Sequence, residues 1–304
     1  MSCYKAQQKI KNKDMGRKGT SMFIRSTLII SGIITAFSCT NAQTYTSPKG
    51  YDLTKPTRFN MPDKLREISG IAFYHGKPDS LYAEEDETGR VYYFRLGDKQ
   101  VNHSTFGKAG DYEDIAILGE QVIMLRSDGV LFTFPFKGLR NPDIGNVQKW
   151  KDILPQGEYE GMYANEKEQQ LYVLCKHCSD DKTSKSSSGY IFKIANGQIR
   201  QSGTFSVNVK EIEALMSTKK IAFHPSALAK NQQTNEWYIL SSVNKMIVVA
   251  DNNWKVKSVY PINPGLFIQP EGIAFDNQSN LYISNEGDKI TPGTVFKFNY
   301  NAAK

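Results

Sequence analysis

The chain has 304 residues, of which 39% are hydrophobic, 23% charged and 12% aromatic. That balance excludes an intrinsically disordered chain, and aromatic residues in Gly-punctuated apolar runs lean towards β structure. The formal charge of +7 would suggest a nucleic-acid or acidic-membrane partner, but residues 1–38 hold seven basic side chains and one acid, while the other 266 carry 31 basic and 30 acidic. The near-neutral body is therefore expected to bind no nucleic acid.

From Met22 a short basic region leads into about a dozen mostly apolar residues and then Ala36, Phe37, Ser38 and Cys39, the n-region, h-region and cleavage pattern of an export signal. The apolar run is shorter than the roughly 20 residues that span a bilayer. Cleavage before Cys39 resembles a bacterial lipoprotein signal, with Cys39 as the lipid attachment site; an ordinary signal peptide cut near Ala42 is the alternative. Residues 1–38 are thus read as an upstream extension and signal, 39–56 as a tether, and 57–304 as the folded domain.

The domain repeats. Small or acidic residues lead into apolar runs at Ser69-Gly-Ile-Ala-Phe, Glu113-Asp-Ile-Ala-Ile, Glu160-Gly-Met-Tyr-Ala, Pro225-Ser-Ala-Leu-Ala and Glu271-Gly-Ile-Ala-Phe, spaced 44, 47, 65 and 46 residues apart. Two further apolar runs follow each, separated by turn signals of the kind hairpins use. Such units predict an all-β fold, a β-propeller of five four-stranded blades, with an open solenoid as the alternative. The last unit ends after three strands, whereas residues 57–62 resemble a fourth strand, so the N-terminal strand is expected to complete the final blade and remove two exposed edges. The long spacing holds a polar loop at 179–189 and a helical insertion at 210–219, where Ile212, Leu215 and Met216 fall at helical spacing.

In a propeller the innermost strands line the channel. The repeat places Glu67, Glu113, Glu160 and Glu271 at one mouth, with Phe223 and Pro225 at the corresponding places of the fourth unit. Converging carboxylates raise one another's pKa or recruit a cation. Oxygen ligands without clustered histidines favour calcium or magnesium over zinc; capping of backbone N–H groups is the plainer alternative. The second runs end in polar residues that reach the same mouth, among them Glu85, Asp86, Lys176, His177, Asn285 and Glu286, and such a ring suits a small polar ligand as well as a metal.

The succession Leu65-Arg-Glu-Ile-Ser-Gly-Ile, Gly110-Asp-Tyr-Glu-Asp-Ile, Glu158-Tyr-Glu-Gly-Met, His224-Pro-Ser-Ala-Leu and Gln269-Pro-Glu-Gly-Ile-Ala-Phe resembles the SdiA-regulated (YjiK-like) domain family of bacterial envelope proteins over roughly residues 60–300. The resemblance implies a propeller exported or anchored at the membrane, with calcium in its channel and no settled activity. Pro225 departs from the pattern where other units carry an acid.

Cys175 and Cys178 remain in the mature body. A structural disulfide pinning the following loop is the first reading, with a thiol-redox pair or a soft-metal site as alternatives. No Gly-x-Ser-x-Gly elbow, His-Glu-x-x-His motif or phosphate-binding Gly loop is present. His224 lies at the mouth as a candidate general base or a hydrogen-bonded structural histidine. The function expected is that of a monomeric envelope propeller, tethered to the membrane by lipid, binding calcium and a small ligand or envelope protein at its acidic mouth without turnover. The alternative is a metal-assisted hydrolase of ester or lactone bonds, with His224 or a channel glutamate as base.

Overall fold

A computed structural model describes residues 44–179, 181–218 and 220–303. The leader, Cys39 and the first part of the expected tether lie outside the described residues, as does Lys219 at the end of the expected helical insertion. Five four-stranded antiparallel sheets follow one another as blades. Blade 1 comprises β2 (Ile68–Phe73), β3 (Leu81–Glu85), β4 (Arg90–Phe94) and β5 (Asn102–Thr105). Blade 2 has β6 (Tyr112–Leu118), β7 (Gln121–Arg126), β8 (Leu131–Pro135) and β9 (Gln148–Trp150). Blade 3 has β10 (Gly157–Asn165), β11 (Gln170–Cys178), β12 (Ser186–Ala195) and β13 (Gln198–Asn208), and blade 4 has β14 (Ala227–Asn231), β15 (Glu236–Ser241), β16 (Met246–Ala250) and β17 (Val256–Pro261).

Blade 5 closes the ring with strands from both ends of the chain. To β18 (Pro270–Phe275), β19 (Leu281–Asn285) and β20 (Thr294–Phe298) it adds β1 (Thr57–Asn60), which pairs antiparallel with β20 from Thr57 opposite Lys297 to Asn60 opposite Thr294. Without β1 the outer edge of β20 would be an open row of backbone donors and acceptors. The inner strands β2, β6, β10, β14 and β18 each contact the next around the circle, β18 returning to β2.

Each blade interface is a separate apolar cluster, five in all. Period-2 strands that are apolar on both faces make this packing, since each sheet is sandwiched between two others. Between blades 3 and 4, Trp237 stacks on Trp254, which stacks on Phe205, at centroid distances of 4.4 and 3.7 Å.

Three local readings are corrected by the structure. The compact body begins at Thr44: Tyr51 and Leu53, assigned to the tether, are buried in the cluster between blades 4 and 5, and the Tyr51 hydroxyl donates to Ser279 O and accepts from Asn231 Nδ2. The stretch 179–189 is not all loop, because β12 starts at Ser186 and extends the hairpin. Helix α1 (Val209–Met216) forms as expected, with Asn208 accepting from Lys210 N at its N-terminus, but it packs through Val209 and Ile212 and leaves Leu215 half exposed.

Candidate functional site at the acidic channel mouth

Four of the five inner strands carry a β-bulge near the mouth, and each falls at the repeated small or acidic residue. Tyr112 pairs with Arg126 and Asp114 with Leu125, leaving Glu113 over; Glu160 is left over between Tyr159 and Gly161, and Glu271 between Pro270 and Gly272. In β2 the irregularity spans Ser69 and Gly70. A bulge bends the strand and re-aims the extra side chain, so the simple alternation expected from sequence does not hold here. In blade 4, β14 begins only at Ala227; the expected channel positions Phe223 and Pro225 precede it, and Ser226 comes nearest the acid's place.

In three of these four strands a glycine closes the bulge, at Gly70, Gly161 and Gly272, because the inner strands nearly touch. A Cβ on Gly272 would lie 2.3 Å from Ser69 O and from Ser284 Oγ, and one on Gly70 would lie 2.5 Å from Asp114 Oδ1. Asp114 occupies the glycine place of blade 2 and uses the space differently. Its buried carboxylate accepts from Ile115 N at 2.8 Å and from Met162 N at 2.6 Å, joining blade 2 to blade 3. Glu84, fully buried, accepts from Gly70 N in a similar way. Burial raises both pKa values well above the usual carboxylate range.

The registers stack the mouth in tiers. Innermost are Ser69, Glu113, Glu160, Ser226 and Glu271; next come Asp86, Ser127, Lys176, Ser242 and Glu286 at the ends of the second strands; outermost are Glu67, Asp111, Glu158 and Gln269. Within blades the two outer tiers pair up: Ser127 with Asp111, Gln269 with Glu286, Lys176 with Glu158 at 3.4 Å. Eight of these positions are carboxylates and one, Lys176, is a cation.

The acids divide into two groups. Glu113, Glu160 and Glu271 gather around Lys176, whose ammonium contacts Glu160 directly. Burial, followed by repulsion from Glu160, pushes Glu113 up to about 9. Burial takes Glu160 to about 8, although Lys176 works against the rise. Glu271 is also raised by burial, less so because Ser226 and Ser242 hydrogen-bond to it. Lys176 itself is raised, its burial outweighed by Glu160 and Glu158.

The second group is Glu67, Glu85 and Asp86, each offering a carboxylate oxygen within 4.8 Å of the others. Oxygens that share a calcium ion at about 2.4 Å lie no more than about 4.8 Å apart, so the donor set fits a hard divalent cation. Burial and then Glu67 push Asp86 up to about 6, while burial with Glu271, Asp86 and Glu67 pushes Glu286 to about 8. Among the described residues, Asp86 Oδ1, Glu160 Oε2 and both amide atoms of Asn285 are buried side-chain polar atoms without a hydrogen-bond partner.

Of the four glutamates expected to share a metal, only Glu67 belongs to the compact oxygen cluster; Glu113, Glu160 and Glu271 surround an ammonium instead. Lys176 was visible in the sequence as the polar end of a strand, but its place among the acids depends on a second irregularity. Glu158 pairs with His177 and Tyr159 with Cys175, so Lys176 is the extra residue of β11, and the Cys175–Cys178 disulfide (Cα–Cα 6.0 Å) closes across it. His224 sits at the same mouth, its ring centroid 6.3 Å from that of His177, with burial and then His177 holding its pKa below the usual value. Its backbone is fixed by Asn244 and Ser241, while among the described residues its imidazole makes no hydrogen bond. It therefore lacks the orienting contact typical of a general base.

Fold and site together define a five-bladed β-propeller with an acidic channel mouth. Residues 61–290 match the model of the SdiA-regulated family, and the chain belongs to that family. No curated protein is significantly similar to it in sequence. Among solved structures it is similar to the glutaminyl cyclase of Myxococcus xanthus, at 15% identity and a TM-score of 0.56 over 81% of this chain and 94% of the other. It is also similar to a glucose dehydrogenase, at 9% identity and a TM-score of 0.51 over 81% and 100%. A calcium-binding regucalcin from Agrobacterium tumefaciens aligns at 11% identity and a TM-score of 0.48 over 84% and 96%. At these identities the likeness is one of fold.

Proposed function

We propose that this chain is a binding propeller of the bacterial cell envelope, held to the membrane through a lipid on Cys39, that takes a calcium-type cation at its acidic mouth. The cation would be held by Glu67, Glu85 and Asp86, and it would let a small polar ligand or an envelope protein dock on the same rim. The observation that carries this reading is the excess of acidic groups: eight carboxyl groups in three tiers around Lys176, with buried oxygens of Asp86 and Glu160 lacking hydrogen-bond partners. Carboxylates brought together this way either hold protons or hold a cation, and an all-oxygen donor set selects calcium or magnesium. The tether rests on the leader sequence, with its apolar run ending at Cys39.

Isothermal titration of the mature protein with CaCl2 and MgCl2 tests the site. One calcium per chain is expected, bound at least about tenfold more weakly by Asp86→Asn. No calcium binding by the wild type, or binding that Asp86→Asn and Glu67→Gln leave unchanged, would overturn the reading. Cys39→Ser tests the tether separately: the variant should lose radiolabelled palmitate and leave the membrane fraction, and retention of both would refute lipid attachment at Cys39.

A further inference from the structure

The channel has a second end, and its chemistry is the reverse of the first. Beyond the bulges the inner strands run on as Ile71–Phe73, Ile115–Ile117, Met162–Ala164, Leu228–Lys230 and Ile273–Phe275, and these segments enclose a cavity of about 580 Å³. Small-molecule sites typically measure about 300–1,000 Å³. Strand register places one residue of each blade at each level. The first level is Ile71, Ile115, Met162, Leu228 and Ile273, all apolar and buried.

Two levels further on stand Phe73, Ile117, Ala164, Lys230 and Phe275. Lys230 is the one departure in an apolar ring, and the sequence shows it directly: Ala-Leu-Ala-Lys where other units read Gly-Ile-Ala-Phe or Asp-Ile-Ala-Ile. The side chain is half-buried, with Nζ 4.9 Å from the face of Trp237. Among the described residues it has no carboxylate within ion-pair distance.

Glu168 is the acid whose charge acts on Lys230, and the two acids that line the cavity, Asp276 and Glu166, are engaged elsewhere. Asp276 accepts from the backbone N of Gln278 and Asn280, from Asn280 Nδ2 and from the Tyr282 hydroxyl. Glu166 is held by His75 Nδ1 at 2.8 Å. That contact comes from the turn Tyr74–Gly76, which is fixed on several sides: Tyr74 bonds Glu120 of blade 2 and stacks on Phe136 at 3.9 Å, and Gly76 O accepts from Asn277 N of blade 5 at 2.7 Å. The cavity is thus a mainly apolar chamber under a fixed turn; of the two lysines that line it, Lys167 is exposed at the rim and Lys230 is half-buried in the wall.

We propose that this end of the channel is a second binding site, for a small molecule with an apolar body and a carboxylate that meets Lys230. Apolar walls supply the area, and the half-buried ammonium of Lys230 supplies orientation and charge selection. The eight-carboxylate mouth repels the same ligand, so an anion has one end of the channel to choose. The proposal does not depend on the cation site.

Titration calorimetry with octanoate, compared with the uncharged octanamide, tests it on the mature protein. Octanoate should bind saturably at one per chain. Lys230→Met should weaken octanoate by about tenfold and octanamide by less than about twofold, and Ala164→Trp, which fills the chamber, should abolish both. Should either variant fail to fold, methyl NMR of the wild type decides: octanoate should shift Ile115, Met162 and Ile273. Non-saturable octanoate binding, no methyl shifts, or affinity indifferent to Lys230→Met and Ala164→Trp would each overturn the proposal.

Discussion

Raising the pH from 7 to 8 in the presence of EDTA is expected to weaken the folded protein. Glu113, Glu160 and Glu286 have folded pKa values raised to about 9, 8 and 8 from an ordinary 4.5. Between those limits the folded state holds protons that the unfolded chain has released, so stability falls as the pH rises and the loss is complete only above about pH 9. Integrated from pH 7 to 8, the loss is about 1 kcal/mol each for Glu113, Glu160 and Glu286, about 3 kcal/mol together. Histidine effects do not mask it, because burial lowers the pKa of both His103 and His224 and leaves them neutral in this window. Urea melts at pH 7.0, 7.5 and 8.0 would measure the slope, and saturating calcium should remove the part due to Glu286, which faces Asp86 and Glu67. Stability that is constant or rises across this window without calcium would refute the electrostatic account of the mouth.

Further predictions concern the groups that build the mouth. Lys176→Met should cost little at pH 6, where the surrounding glutamates can stay protonated, and about 2–3 kcal/mol more at pH 9, where Glu160 is left as an uncompensated buried charge; parallel melts at the two pH values check this, and a pH-independent cost would contradict it. Asp114→Ala strands the amides of Met162 and Ile115 at the joint of blades 2 and 3 and should destabilise by about 2–4 kcal/mol, measured by denaturant midpoint. Replacing both Cys175 and Cys178 by serine opens a four-residue loop, with an expected loss of about 2 kcal/mol.

The architecture was legible because it is written in repetition. Five apolar runs of fixed order gave the blade number, and residues 57–62 read as a displaced fourth strand, which is where β1 lies beside β20. The acidic mouth was legible for the same reason, since the acids recur at one place in the unit. What escaped was local geometry that departs from the repeat. The bulges at Glu113, Glu160 and Glu271 break the alternation that strand patterns assume, and a further one at Lys176 lies between two disulfide-bonded cysteines. Glu67 parted company with the other three glutamates because its place in the unit is two residues earlier, that of Asp111 and Glu158. Tyr51 and Leu53 were hidden by a polar neighbourhood that reads as linker. Two signals were present but silent. Asp114 stands where other blades have glycine, and it reaches across to the next blade; Lys230 stands where they have phenylalanine, isoleucine or alanine, and it changes the character of the far cavity.

The most direct test of the central claim, that the acidic mouth exchanges protons for a divalent cation, is calcium titration calorimetry at pH 7.5 in two buffers of different ionisation enthalpy. The difference in apparent binding enthalpy counts protons released. Up to about one proton per bound calcium is expected, because Glu286, raised to about 8 by burial, Glu271, Asp86 and Glu67, gives its proton up when a cation neutralises Asp86 and Glu67. Calcium binding with no proton release, or no heat beyond dilution, would contradict the account.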